Sequence, residues 1–140
     1  MRIARFAGDD DPRFGVIGDD NGVPTIAVLN GDPLYAGLNL SGQKIPLDDV
    51  RLLAPVIPRS KVVCVGKNYP AHAAEMGGEV PAEPLIFLKP NTSVIGPGDP
   101  ISLLPISRRI DFEGELAVVV GRLARNIRAE DAYKVILGYT

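Results

Sequence analysis

Three carboxylates crowd the entrance to an apolar run: IDFEGELAVVV, residues 110–120, carries Asp111, Glu113 and Glu115. In a strand, alternate side chains share a face, so these three project together while Phe112, Leu116 and Val118 share the other side. Neighbours on one face stand about 7 Å apart, and at an effective dielectric of ~20 each like-charged pair costs roughly 2 kcal/mol. Ala117 and Val119 continue the acidic face as apolar residues, so the charged end borders a region expected to be buried. Gly114, between the glutamates, lets another backbone or a ligand approach closely. A hard divalent cation turns the repulsion into binding, because Mg²⁺ or Mn²⁺ takes oxygen ligands at about 2.1 Å. The competing reading is a solvent-facing edge where water screens the charges. Spacing alone leaves both open.

A second constellation lies in GKNYPAHAAEM. His72 is the sole histidine, and Glu75 follows three residues later. In a helical turn the two share a face. A carboxylate beside an imidazole orients it and raises its basicity, the pairing expected of a general base that activates water. A simple surface contact is the alternative. Lys89, at the end of LIFLKP, is either a solvated strand end or a cation for a substrate carboxylate, and Lys67 carries the same ambiguity. Cys64, within VVCVG, reads as core packing, with no neighbour to lower its pKa. GPGDP lacks the lysine and glycine spacing of a phosphate loop. Arg108 and Arg109 read as surface residues.

The elements that position these residues are short. With 15 glycines and 13 prolines in 140 residues, the chain favours strands and turns over helical bundles. Residues 1–57 read as a small β-rich unit: RIARFA is a strand, and FGVIG–DDNG–VPTIAVL is a hairpin turned by Asn21-Gly22. LDDVRLLAPV fits a short helix or a strand. Pro55 and Pro58 mark a boundary, and residues 58–140 form the second region. There KVVCVG reads as a buried strand and PAHAAEMG as one or two helical turns, with Pro70 early and Gly77 as the stop. LIFLKP is another strand, IDFEGELAVVVG the longest strand candidate, and RAEDAYKVILG a short amphipathic helix. The predicted class is mainly β with short helices (α+β), a mixed β-roll or sandwich behind a small N-terminal β unit.

Bulk properties exclude several functions. A net charge of −2, with a pI near 5.3 and no basic block, offers nucleic acid nothing to hold and argues against an anionic membrane surface. A single cysteine rules out an internal disulfide and suits a reducing cytoplasm. MRIARFAGDDDPRF lacks the apolar core of a signal peptide, and no apolar run approaches the ~18 residues of a transmembrane helix. The expectation is a soluble cytoplasmic protein. GYT ends abruptly, as a chain cut short would.

In order, KVVCVGKNYPAHAAEM, PLIFLKP, GPGDPI, DFEGELAVVVG and DAYKVILGYT resemble the fumarylacetoacetate hydrolase family. The likeness is to its shorter branch, the acylpyruvases and 2-hydroxyhepta-2,4-diene-1,7-dioate isomerases. It is dense over residues 59–140 and loose over 1–58. It implies a rolled mixed β-sheet, a homodimer, and Glu113 and Glu115 as ligands of Mg²⁺ or Mn²⁺, with Asp111 outside the ligand set. It further implies His72 and Glu75 as the water-activating dyad on a lid helix, with Lys89 near the substrate. The implied enzyme is a metal-dependent hydrolase or isomerase of small 2-oxo acids, acylpyruvates or dienedioates, working through a metal-bound enolate. CVGKNY lacks the extra upstream acid of the longer members. The family's third ligand, an aspartate, and its substrate-gripping arginine, glutamine and lysine all come after the segment matching GYT, so the chain holds about half of a catalytic unit. The rivals are an oxaloacetate-type decarboxylase of the same fold, a non-catalytic truncated assembly module, and a Ca²⁺-stabilised domain, which lacks the 12-residue loop pattern.

Overall fold

The computed structural model describes residues 1–140. Its N-terminal part is built from short strands separated by Gly-, Asp- and Pro-containing turns. Strands β1 (Arg2–Phe6), β2 (Arg13–Asp20) and β3 (Val23–Leu29) form consecutive antiparallel hairpins. Between β2 and β3, Asn21 (φ 55°) and Gly22 (φ 86°) are both left-handed, the backbone a two-residue turn needs to match strand twist. The Gly22 N–H donates to Asp19 Oδ1 at 2.7 Å.

Helix α1 (Pro33–Ala36) follows, capped by Asp32, whose Oδ1 accepts from the Leu34 N–H at 2.9 Å, and stopped by Gly37 at φ 67°. Strand β4 (Leu40–Pro46) then pairs with β3, and β5 (Leu52–Leu53) with the far edge of β1, giving the order β4-β3-β2-β1-β5. The ambiguous LDDVRLLAPV segment resolves as both alternatives in succession, a 3₁₀ turn at Leu47–Asp49 and then β5.

One face of this sheet carries the core: Ala4, Phe6, Ile26 and Val28, with Ile17, Ile45, Leu47, Val50 and Leu52 packed around them. Gly15 stands in register between Ala4 and Val28, and a Cβ there would overlap Ile26 Cγ2. The glycine is what lets Ile26 lie flat across the row. No buried side-chain polar atom lacks a partner; Thr25, the one buried polar residue, donates its hydroxyl to the Val23 carbonyl at 2.9 Å.

Two compact units divide the chain, residues 1–56 with 96–140, and residues 57–95. The second comprises β6 (Lys61–Gly66), helix α2 (Pro70–Glu75) and β7 (Leu85–Pro90), with β6 and β7 antiparallel from Lys61↔Pro90 to Gly66↔Leu85. In the first unit, Asp99 fixes the start of the 96–140 segment: Oδ2 accepts from the Gly96 N–H at 2.8 Å, and Oδ1 lies 3.5 Å from Arg51. Further on, β8 (Val118–Val120) pairs with β9 (Ile136–Tyr139) across a bulge at Val119/Val120.

Four expectations change. IDFEGELAVVVG is a strand only over Val118–Val120; the ladder ends where β9 ends, with Ala117 and Thr140 exchanging bonds of 2.8 and 3.0 Å. With no facing strand, and with Gly114 and three acids of low β-propensity, residues 110–116 form no regular element. Asp111, Glu113 and Glu115 therefore do not sit on a strand face. RAEDAYKVILG is a 3₁₀ helix at Ala129–Lys134 followed by β9, because the apolar Val135–Leu137 stretch finds β8 to pair with. KVVCVG is half-buried rather than buried, Val63 being 60% exposed. Cys64, accordingly, is partly exposed rather than core. The sheets are all antiparallel, helices are few and short, and none is long and apolar enough to cross a membrane.

Candidate active site

Helix α2 is short but well terminated. Pro70 opens it at a position where no intrahelical N–H is needed, and Tyr69 stands before it in extended conformation. At its other end Gly77 adopts φ 72°, its N–H donating to the Ala74 carbonyl at 2.9 Å. The Gly78 N–H donates to the Ala73 carbonyl at 3.0 Å. These two bonds are the Schellman pair that closes a helix on a left-handed residue. Ala73 is fully buried beneath the helix and anchors it.

That anchoring turns His72 and Glu75 to the same side. His72 Nδ1 lies 3.8 Å from Glu75 Oε2, with the imidazole 32% and the carboxylate 78% exposed. The distance is just beyond a hydrogen bond, the looseness common in a catalytic pair without substrate. A proton on Nδ1 directed at Glu75 makes Nε2 the basic nitrogen, the arrangement that orients an imidazole for proton transfer.

Lys67 gains prominence that its sequence context did not give it. It sits in the β6–α2 loop with φ 52°, a left-handed conformation unusual for a residue with a side chain. Its Nζ reaches the C-terminal end of α2, 3.3 Å from where a Cβ on Gly78 would stand. A cation there complements the negative end of the helix. The only sequence signal was its position directly after an apolar strand.

Lys89 stands on β7 opposite Val62, its Nζ 5.8 Å from the Phe87 ring centre, a cation–π contact at long range. Glu113 and Glu115 are exposed, while Asp111 is engaged by Arg109 at 2.7 Å, which accounts for the third acid as an ion-pair partner. No three histidine, cysteine or acidic side chains gather closely enough to hold a metal. The two glutamates still present the hard oxygen donors that Mg²⁺ or Mn²⁺ prefers, so the donor chemistry fits and the donor number is incomplete. The structure thus brings His72 and Glu75 together, while Glu113 and Glu115 lie exposed on a segment without regular structure.

Residues 61–140 match the family model described as fumarylacetoacetate (FAA) hydrolase, C-terminal, and residues 1–55 match the one described as Rv2993c-like, N-terminal. The chain belongs to the fumarylacetoacetate hydrolase family. Among its family relatives is protein Rv2993c of Mycobacterium tuberculosis, 48% identical over all of this chain and 53% of its own length. The mitochondrial oxaloacetate tautomerase fahd2 of Xenopus laevis is 44% identical over all of this chain and 50% of its own. The crystal structure of 2-hydroxyhepta-2,4-diene-1,7-dioate isomerase from Mycobacterium marinum, 43% identical, superposes on 99% of this chain and 52% of its own with a TM-score of 0.83. The chain therefore spans about half the length of the family members it matches.

Proposed function

We propose that the chain supplies the proton-transfer half of an enzyme that isomerises or tautomerises small 2-oxo acids. The observation that carries the reading is the His72–Glu75 pair, held 3.8 Å apart on a helix opened by Pro70 and closed at Gly77. Both activities in the relatives' names, dienedioate isomerase and oxaloacetate tautomerase, move a proton between a carbon beside a carbonyl and another atom of the same conjugated system.

His72 Nε2 takes the proton from that carbon, and the electron pair left behind delocalises onto the carbonyl oxygen. Returning the proton to oxygen gives the enol; returning it to a more distant carbon gives the isomer. Glu75 holds the imidazole in orientation and stabilises the imidazolium between the two transfers. Lys89 is a candidate partner for the substrate carboxylate. Glu113 and Glu115 would hold Mg²⁺ or Mn²⁺, which when bound supplies a Lewis acid for the charge developing on the carbonyl oxygen. Hydrolysis of an acylpyruvate uses the same base on water, and decarboxylation needs the same charge stabilisation without the water.

In this reading residues 1–57 are a small N-terminal domain, and 58–140 are the N-terminal part of a catalytic domain in a cytoplasmic homodimer. The test is a chimera joining residues 1–140 to the half of the Mycobacterium tuberculosis relative that this chain lacks. It is offered oxaloacetate, an acylpyruvate and a dienedioate with Mg²⁺ or Mn²⁺. Loss of the enol absorbance without CO₂ or a second acid supports tautomerisation; pyruvate plus a second acid shows hydrolysis; CO₂ shows decarboxylation. A folded chimera with none of these activities would sink the enzymatic reading. Glu113→Gln and Glu115→Gln are each expected to weaken Mn²⁺ binding, measured by calorimetry on the same chimera.

A further inference from the structure

Position 67 carries a backbone cost that turning the chain does not require. Lys67 follows β6 directly and stands at φ 52°, a conformation that crowds a side chain and that glycine takes freely. Either glycine or asparagine would make the same turn more easily. What lysine adds is a long stem ending in an ammonium, and the residue is half-buried rather than extended into water. Strained backbone of this kind gathers where a side chain is needed in one place.

Gly78 is the complementary exception. Gly77 needs its left-handed φ of 72°, but Gly78 is not left-handed, so its own backbone does not call for glycine. Its missing side chain leaves room instead. A Cβ there would meet Lys67 Nζ first, at 3.3 Å, and then the Ala73 carbonyl oxygen at 4.0 Å. The ammonium thus occupies the space of an absent side chain, beside the N–H that closes α2 on the Ala73 carbonyl at 3.0 Å. With six residues α2 is too short to hold itself, and its last turn carries no basic residue besides His72.

We propose that Lys67 is a positioning residue: its ammonium, seated in the room that Gly78 leaves, holds the C-terminal turn of α2 and with it the His72–Glu75 pair. The pair's part in proton transfer rests on the function proposed above; the hold on the helix does not.

In the 140-residue chain, Lys67→Met keeps the stem and the left-handed backbone and removes the charge. Protection of the Gly78 amide against exchange is expected to fall about two- to fivefold, the range for a cation at a helix C-terminus, and the difference should shrink in high salt. Lys67→Arg should retain the protection. Gly78→Ala should lower protection at position 78, yet add nothing in a Lys67→Ala background, as expected of two residues sharing one space. In the chimera, Lys67→Met should lower kcat by a similar factor with KM unchanged, and Lys67→Arg should restore it. Unchanged Gly78 protection in Lys67→Met overturns the proposal, as do additive effects of the two alanine substitutions. A raised KM with Gly78 protection intact also overturns it and assigns the ammonium to the substrate carboxylate. If the unaltered chimera has no turnover, the enzymatic reading fails, and the protection measurements alone decide for or against Lys67.

Discussion

At the scale of single residues, the proposed proton transfer rests on the His72–Glu75 pair. Two side chains three apart on one turn need only that turn to meet, and the structure places them 3.8 Å apart. In the chimera described above, His72→Asn is expected to lower turnover by roughly 10²–10⁴-fold, the usual contribution of a positioned acid–base group. Glu75→Gln should cost less, since it acts on the imidazole and not on substrate; steady-state rates of both variants check the ranking. Glu113 and Glu115 differ in kind. They are two apart but share no strand, so their spacing in sequence does not by itself set a common face. Asp111, with the same charge and the same spacing, is taken by Arg109.

The elements that hold these residues depend on a few backbone positions. Gly77, at φ 72°, closes α2; Gly77→Ala places a side chain in the left-handed region and is expected to cost about 1 kcal/mol. The loss falls on the helix that carries the dyad, so faster exchange of the Gly78 amide, bonded to the Ala73 carbonyl, is the direct readout. Turnover in the chimera should fall with it. The Asn21-Gly22 turn was legible because its chemistry is local: left-handed backbone at both positions demands such residues. The helix expected over RAEDAYKVILG holds only for Ala129–Lys134 and the strand expected over IDFEGELAVVVG only for Val118–Val120, because pairing between β8 and β9 decided both limits. Periodicity cannot show which segment will find a partner, nor where that partner ends.

At the scale of the whole molecule, the N-terminal sheet carries its own core and the remainder does not. Phe6 is 1% exposed at the centre of that core, and Phe6→Ala is expected to cost about 3–5 kcal/mol, measured by urea denaturation. Beyond the sheet, large apolar side chains stay exposed, Phe112 at 97% and Ile106 at 90% among them. They are as apolar in sequence as Phe6, yet nothing in the chain covers them.

The amino-acid order by itself determined the local features. These are the β2–β3 hairpin and its turn, the extent of β6 and β7, the proline-to-glycine span of α2, the single histidine with its glutamate, and the family, whose motifs are local runs. Each is set by interactions within a few residues. Only the tertiary structure decided that the acidic segment is not a strand, that the last segment passes from a 3₁₀ helix into a strand, that Lys67 reaches the end of α2, and that the apolar β6–β7 pair lies open. Those outcomes rest on which distant segments meet, and a strand edge or an apolar face carries no mark in its own residues of whether a partner arrives.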